Sequence, residues 1–252
     1  MDKIINRDAA FEAACHKIIH QEHLIKGIGT LKEKTIHAVL KNFLEPDEDK
    51  HEKRVYGFVA DIVTEHDIIE IQTGNFNTMR RKLDSFLPEK KVTIVYPIPA
   101  TKWLSWIDEE TGEVTGRRKS PKRGSPYLAF QELYKIKYCL NHPNLMIHIL
   151  LIDMEESRLL NGWSRDRKRG SVRYDRIPIR IVDEVLIERT EDYRMLIPAE
   201  LGDRFSVKEY SKVTKLPIRQ ARTALHIMHY LKIVERVSKK GNAFIYALTS
   251  ED

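Results

Sequence analysis

Two runs of helical and strand periodicity predict an α/β fold: a mixed sheet flanked by helices, followed by a small C-terminal module of helices closed by a β-hairpin. Three observations carry this expectation. The first hundred residues read helix, strand, strand, helix, strand. After Asp203, two short helical stripes precede two strands joined by a lysine- and glycine-containing turn. The chain has 252 residues, 42% hydrophobic and 32% charged, enough for a sizeable core in one or two domains. That composition excludes a disordered tail, and two cysteines, Cys15 and Cys139, exclude a disulfide framework or a cysteine-rich zinc site.

Residues 1–29 read as a helical lead-in broken at Gly27 and Gly29. Thr30 is a plausible N-cap with Glu33 in the capping-box position, and Ile36, Val39, Leu40 and Phe43 form the buried stripe of the helix that follows. Charged residues make Glu45–Arg54 read as a loop. Val55–Val63 alternates as a strand, Thr64–Asp67 is a turn, and Ile68–Thr73 is a second strand. Phe76, Met79, Leu83 and Phe86 place a helix over Asn75–Leu87, and Val92–Ile98 is an apolar strand. Trp103–Lys119 reads as a projecting hairpin around Asp108–Gly112. A helix over Tyr127–Leu140 and a strand over Leu145–Asp153 extend the core. Arg158–Arg180 reads as a basic loop or hairpin. A linker within Glu188–Asp203 separates a larger domain, 1–195, from a smaller one, 203–252.

The formal net charge of +6 conceals an asymmetry. Gly116–Lys137 carries seven Lys/Arg against one acid, Arg158–Arg180 eight against two, and Asp203–Asp252 ten against five, which leaves the remainder net acidic. Three basic segments beside an acidic remainder favour a polyanionic partner, because Lys and Arg gain affinity by displacing counterions condensed on phosphates. DNA is the leading candidate, with RNA open. A membrane partner is disfavoured, since no basic stretch has a large apolar face and no apolar run is long enough to span. The N-terminus lacks an apolar signal core, so a cytoplasmic location is the expectation.

If Val63 opposes Ile68 across the turn, Asp61 opposes Glu70 and both point to one face, with Gln72 on the same face of the second strand. Like charges directly opposed on a half-apolar face are unfavourable unless a cation lies between them. Glu33, three residues before Ile36, adds a third inward acid, and three such carboxylates suit Mg²⁺ or Mn²⁺. The alternative keeps Glu33 as a capping-box partner and Asp61 and Glu70 on a solvated face; a one-residue slip of register would separate them.

Ala60-Asp61-Ile62-Val63 followed by Ile68-Ile69-Glu70-Ile71-Gln72-Thr73-Gly74 resembles the active-site hairpin of the PD-(D/E)XK nuclease superfamily, which includes restriction endonucleases and Holliday-junction resolvases. The resemblance covers about residues 30–98. It implies a restriction-endonuclease-like fold and Mg²⁺-dependent phosphodiester hydrolysis, with Glu33, Asp61, Glu70 and the Ile71 carbonyl at the metal. Ala60 stands where that pattern has proline. Gln72 stands where it usually has a catalytic lysine, and glutamine can only hydrogen-bond there. Lys82, on the following helix, is the candidate to supply the missing charge. The alternative is a non-catalytic DNA-binding or adaptor protein that keeps the scaffold; activity is favoured over it because three acids would be an unneeded electrostatic cost in a dead site.

In the C-terminal segment, Val207, Tyr210 and Val213 mark one helix, and Ile218, Ala221, Leu225, Met228 and Leu231 mark another after Pro217. Ile233–Val237 and Ala243–Leu248 form a hairpin about Ser238–Asn242. This order resembles a winged helix-turn-helix domain. The resemblance implies DNA contacts from Arg219, Gln220, Arg222, Thr223 and His226, with Lys239 and Lys240 at the wing tip. Dimerisation is the competing use of such a module, and a homodimer would serve paired cuts. Arg117, Arg118 and Lys119 beside Trp103 and Trp106, and Arg165, Arg167, Lys168 and Arg169 between Trp163 and Tyr174, are candidate backbone-tracking contacts. His16 and His20 have helical metal-pair spacing but no further ligand nearby in sequence, so surface histidines are the simpler reading.

Overall fold

The computed structural model describes residues 2–25, 35–108, 110–160 and 170–250, with side chains of the first helix described for residues 7–19. In chain order the elements are α1 (Asp2–Ile25), α2 (Thr35–Leu44), β1 (His51–Val55), β2 (Phe58–Val63), β3 (Asp67–Ile71), α3 (Arg80–Phe86), β4 (Lys91–Asp108) and β5 (Arg118–Lys119). Then come α4 (Phe130–Leu133), β6 (Leu145–Leu160), β7 (Ser171–Ile187), β8 (Arg204–Ser206), α5 (Val207–Thr214), α6 (Ile218–Tyr230), β9 (Val234–Lys240) and β10 (Ala243–Leu248). The fold is mixed α/β, as the periodicity predicts. One sheet has the order β1-β2-β3-β4-β6-β7 with β5 beside β4; a smaller sheet has the order β8-β10-β9. Among the described residues no helix is long and apolar enough to cross a membrane. The chain divides into two compact units, one of residues 1–51, 99–124 and 150–183, the other of residues 52–98, 125–149 and 184–252.

In the second unit, β2 and β3 pair antiparallel with Ile62 opposite Ile69 and Val63 opposite Ile68, the register expected from the turn length. Strand β3 then pairs parallel with β4, Glu70 beside Ile94 and Ile71 beside Val95. The parallel crossover is made by a 3-10 turn, Phe76–Met79, running into α3. Phe76, Met79, Leu83 and Phe86 are all buried against the sheet side of this segment, at the helical spacing that marks them in sequence. The stretch expected to be a loop before Val55 is instead strand β1. Tyr56 (φ 48°) and Gly57 (φ 84°) both take the left-handed conformation of a two-residue hairpin turn, which Gly adopts without strain.

The stretch expected to be a linker is ordered. Thr190–Leu196 is a 3-10 helix with Tyr193 and Leu196 buried. The Tyr210 hydroxyl donates to the Leu196 carbonyl at 3.0 Å, and Arg194 donates to the Thr249 carbonyl at 2.6 Å, tying this turn to the C-terminal module. There Ser206 caps α5 in a reciprocal capping box with Glu209. Helix α6 starts after Pro217 and buries Ala221, Ala224, Leu225, Ile227 and Met228. The closing hairpin turns on Gly241-Asn242, with Gly241 at φ 61°, so Lys239 and Lys240 end strand β9 rather than forming the turn. Between Ile245 and Tyr246 the register shifts by a β-bulge.

In the first unit, Phe11 of α1 meets Phe43 of α2 edge-on at 5.2 Å. Asp175 of β7 accepts from the Thr35 backbone N–H at 3.3 Å and from its hydroxyl. The outer half of β4 pairs with β5, Trp103 opposite Lys119 and Leu104 opposite Arg118, and the Asp108 carboxylate accepts from the N–H groups of Glu110 and Thr111. The expected projecting hairpin is therefore present.

Each unit holds one buried cysteine. Burial, reinforced by Glu12 near Cys15 and by Asp84 near Cys139, pushes both thiols up to about 12. Neither supplies thiolate at pH 8, so a disulfide-exchange reagent should label the native chain at no more than a trace of the unfolded rate, with two thiols titrating in denaturant. Fast labelling of one cysteine in native buffer would mark its unit as locally open.

Candidate functional site

The β2–β3 pairing runs through Val63 opposite Ile68 and Ile62 opposite Ile69; Asp61 and Glu70 are the next residues beyond that pair on their strands. Asp61 is half-buried, and its Oδ2 accepts the Ile71 N–H at 2.7 Å, a charge-assisted bond that fixes the carboxylate at the head of the hairpin. Glu70 is fully buried (0% exposed). Burying an isolated carboxylate costs several kcal/mol or about that per ion, so a partner is required. Lys82 meets the requirement: its Nζ donates to both Glu70 oxygens at 2.9 Å, from the first turn of α3. Gln72 is half-buried; its Nε2 donates to the Met79 sulfur at 3.1 Å and its backbone N–H to the Val95 carbonyl at 2.9 Å. Met79 and Lys82 are three residues apart and so share a helical face. One face of the crossover segment thus serves both Gln72 and Glu70.

Glu33 lies outside the described residues. Among the described residues no group of three or more His, Cys, Asp or Glu side chains is placed to hold a metal ion. The constellation read from sequence is here an acid pair, Asp61 and Glu70, with Lys82 joined to it; the Ile71 carbonyl is the remaining oxygen proposed as a ligand.

The C-terminal module carries a second feature, a cleft of about 640 Å³ between α6, the start of α5 and the β9–β10 hairpin. Its cations are Lys208, Arg222, Arg236 and Lys240, and no acid lines it. Arg236, Phe244 and Tyr246 of the hairpin line it, Arg236 opposite Tyr246 in the strand pairing and Phe244 opposite Lys239. The Arg236 guanidinium lies 4.2 Å and the Lys239 ammonium 4.8 Å from the Phe244 ring centre. His226 also lines the cleft, 3.2 Å from the Lys137 ammonium; desolvation first, then Lys137 and Arg236, hold its pKa below the ordinary value. Of the residues nominated from sequence, Arg219 and Arg222 are exposed on α6. Thr223 is turned back to donate to the Arg219 carbonyl at 3.2 Å. Gln220 is half-buried, with its Oε1 unpartnered among the described residues. Sequence reasoning missed Lys208, Arg236 and the two aromatics, whose signal is the alternation of cations and rings across one hairpin.

In the first unit, Arg117 lies over the Trp103 ring at 4.4 Å and pairs with Glu155 at 2.7 Å, while Lys119 approaches the same ring at 5.8 Å. Arg118 is exposed. Trp103 is thus a stacking support for two of the nominated cations. Arg165, Arg167, Lys168 and Arg169 lie outside the described residues.

Residues 34–188 match the family model of DUF8091, a domain of unknown function. The chain is 28% identical over 235 residues to an uncharacterized protein of Treponema pallidum (strain Nichols), covering 87% of this chain and 86% of that protein. No solved structure matches.

Removing Lys82 strands a buried carboxylate, whereas removing both charges does not. Lys82→Met should cost about 2–3 kcal/mol in urea unfolding, and Glu70→Gln combined with it should recover much of that, a coupling of roughly 1–3 kcal/mol. Additive losses in the double variant would show that the two side chains do not depend on each other.

Proposed function

The chain belongs to the DUF8091 family of domains of unknown function, and from its acidic hairpin we propose that it is a divalent-metal-dependent nuclease that hydrolyses DNA phosphodiesters. The observation that carries the reading is Lys82 Nζ lying 2.9 Å from both oxygens of Glu70, in a hairpin whose Asp61 follows the last paired residue on the facing strand. This is the charge that a PD-(D/E)XK site needs, supplied from the helix in place of the residue occupied by Gln72. The helix–strand–strand–strand–helix–strand order through β4 and the antiparallel-then-parallel pairing of β2, β3 and β4 support the restriction-endonuclease-like comparison.

The donor set fits a hard cation: Asp61, Glu70 and the Ile71 carbonyl offer oxygen only, the preference of Mg²⁺ and Mn²⁺. Such an ion, when bound, supplies Lewis-acid stabilisation of charge on a phosphoryl oxygen and lowers the pKa of water. The chain's own residues do the rest. Lys82 holds positive charge beside Glu70. Gln72 spends its amide on a thioether, a weak acceptor, and can exchange that bond for a water or phosphate oxygen at little cost. Asp61, fixed by the Ile71 N–H, keeps its carboxylate oriented.

The C-terminal strand–helix–helix–hairpin order and the β8-β10-β9 sheet support a winged-helix role in holding the duplex, with Arg219 and Arg222 on α6 and Lys239 and Lys240 on β9 as contacts. A second reading, a non-catalytic DNA-binding or adaptor protein, is favoured by the same Lys82: a carboxylate already neutralised by lysine needs no metal.

Linear, circular and branched DNA incubated with Mg²⁺ or Mn²⁺ decides between them. Wild type should cut, while Glu70→Ala and Lys82→Met should lose on the order of 100-fold or more, the scale of a removed charge-stabilising group. Salt-dependent DNA binding with no cutting by wild type would instead establish the scaffold reading. For the winged helix, Arg222→Ala and Lys240→Ala should each reduce the slope of log K against log salt by roughly 0.9, one phosphate contact apiece. An unchanged slope and affinity would make the module a protein-binding or dimerisation surface.

A further inference from the structure

Glu156 of β6 is 2% exposed and is surrounded by cations from three strands. Lys102 of β4 reaches its Oε2 at 3.1 Å, Arg176 of β7 reaches the same oxygen at 3.0 Å, and Arg158 of β6 reaches Oε1 at 2.9 Å. Burial pushes the Glu156 carboxyl up, but Lys102 and Arg176 outweigh it and hold its pKa below the ordinary value. One carboxylate therefore faces three cations whose side chains are 15–29% exposed.

A fourth cation, Arg173, lies in the same electrostatic neighbourhood, repelled by Arg176 and Arg158 and attracted by Glu156 and Asp175. Asp175 is committed to Thr35. Arg173 is exposed and makes no hydrogen bond or ion pair among the described residues. Three hydroxyl residues, Thr101, Ser120 and Ser171, are buried in the strands and loop that carry the cluster, and Ser171 accepts from Arg158 Nε at 3.2 Å.

A purely structural network would tend to balance its charge, because uncompensated cations under partial burial repel one another and lose hydration. Here four cations face two carboxylates, Glu156 and Asp175; Glu156 orders Lys102, Arg158 and Arg176, and a surplus of positive charge remains. We propose that this cluster is a binding site for a phosphoryl group, with Glu156 as the positioning residue, Lys102, Arg158 and Arg176 as the ordered rim, and Arg173 as the guanidinium that engages the incoming oxyanion. Arginine suits the task, since its planar fork matches two phosphate oxygens at once. The phosphoryl group comes either from a nucleic-acid backbone or from a free polyphosphate; the chemistry at the cluster is the same. The assignment uses neither Asp61 nor Glu70, so it stands or falls apart from the nuclease reading.

The test uses the full chain without divalent metal. Melting is followed in sodium chloride and in sodium pyrophosphate at equal ionic strength, and binding of a short DNA duplex is followed by fluorescence anisotropy. Arg173→Met is the informative variant, because Arg173 makes no hydrogen bond or ion pair among the described residues, so its loss should change the melting temperature in chloride little. Arg173→Lys keeps the charge and guards against a packing effect. Wild type should melt higher in pyrophosphate than in chloride; Arg173→Met should lose most of that gain and Arg173→Lys should keep part of it. If the source is a nucleic-acid backbone, Arg173→Met also weakens duplex binding by on the order of ten-fold, the scale of a charge-assisted hydrogen bond. If it is a free polyphosphate, duplex affinity stays at the wild-type value while the pyrophosphate response is lost. Equal melting of wild type in the two salts, with no effect of Arg173→Met on duplex binding, would overturn the proposal and leave the cluster a structural network.

Discussion

A hairpin side chain can face only one of two ways, and one backbone pairing decides for the whole strand. Val63 opposite Ile68 is that pairing here. It puts Ala60 and Ile62 into the core on one face, and it places Asp61 and Glu70 on the other. A slip of one residue would exchange the two sets and move Asp61 into the layer that Ala60 and Ile62 fill. Ile62 on that face and Ile68 on the face of Glu70 are both 0% exposed, so the strand pair is covered on both sides and Glu70 lies within an apolar layer. Glu70 then has to be neutralised, and α3 is placed so that Lys82 can do it.

This much was legible in the sequence because a four-residue turn between alternating runs leaves few registers. Lys82 was legible as a candidate because a helix following the second strand must cross back over it. Other features were not. Strand β1 carries Glu52, Lys53 and Arg54 with no apolar alternation, which is how an edge strand looks when its side chains meet water. The 3-10 turn Thr190–Leu196 was hidden because its two buried residues, Tyr193 and Leu196, are too few to show a period. Glu33 is the one acid of the sequence-derived set whose position the structure leaves undescribed.

The Glu156 cluster illustrates a different limit. Lys102, Glu156, Arg158 and Arg176 are separated by up to 74 positions and meet only because β4, β6 and β7 are neighbours in one sheet. No local pattern announces such a group; it becomes visible once strand order is known. Glu70 and Glu156 also show two outcomes for a buried carboxylate. The first is met by Lys82 from the crossover helix, which neutralises its charge. The second is met by three cations, which leaves the site positive.

The bulge in the closing hairpin has a geometric consequence of its own. From Lys240 to Ser238 the β9 positions pair with Ala243 to Ile245 in unbroken sequence, which if continued would set Val237 against Tyr246. The bulge advances β9 by one residue, so Arg236 takes that place. A spacing of two on β10, Phe244 to Tyr246, is thereby matched to a spacing of three on β9, Lys239 to Arg236. The hairpin behaves as a gear with one tooth skipped: both rings keep a cation, although the two cations stand three residues apart on β9. Parity along β9 reverses at Val237, and closing the bulge without removing that residue would put valine in place of charge opposite Tyr246.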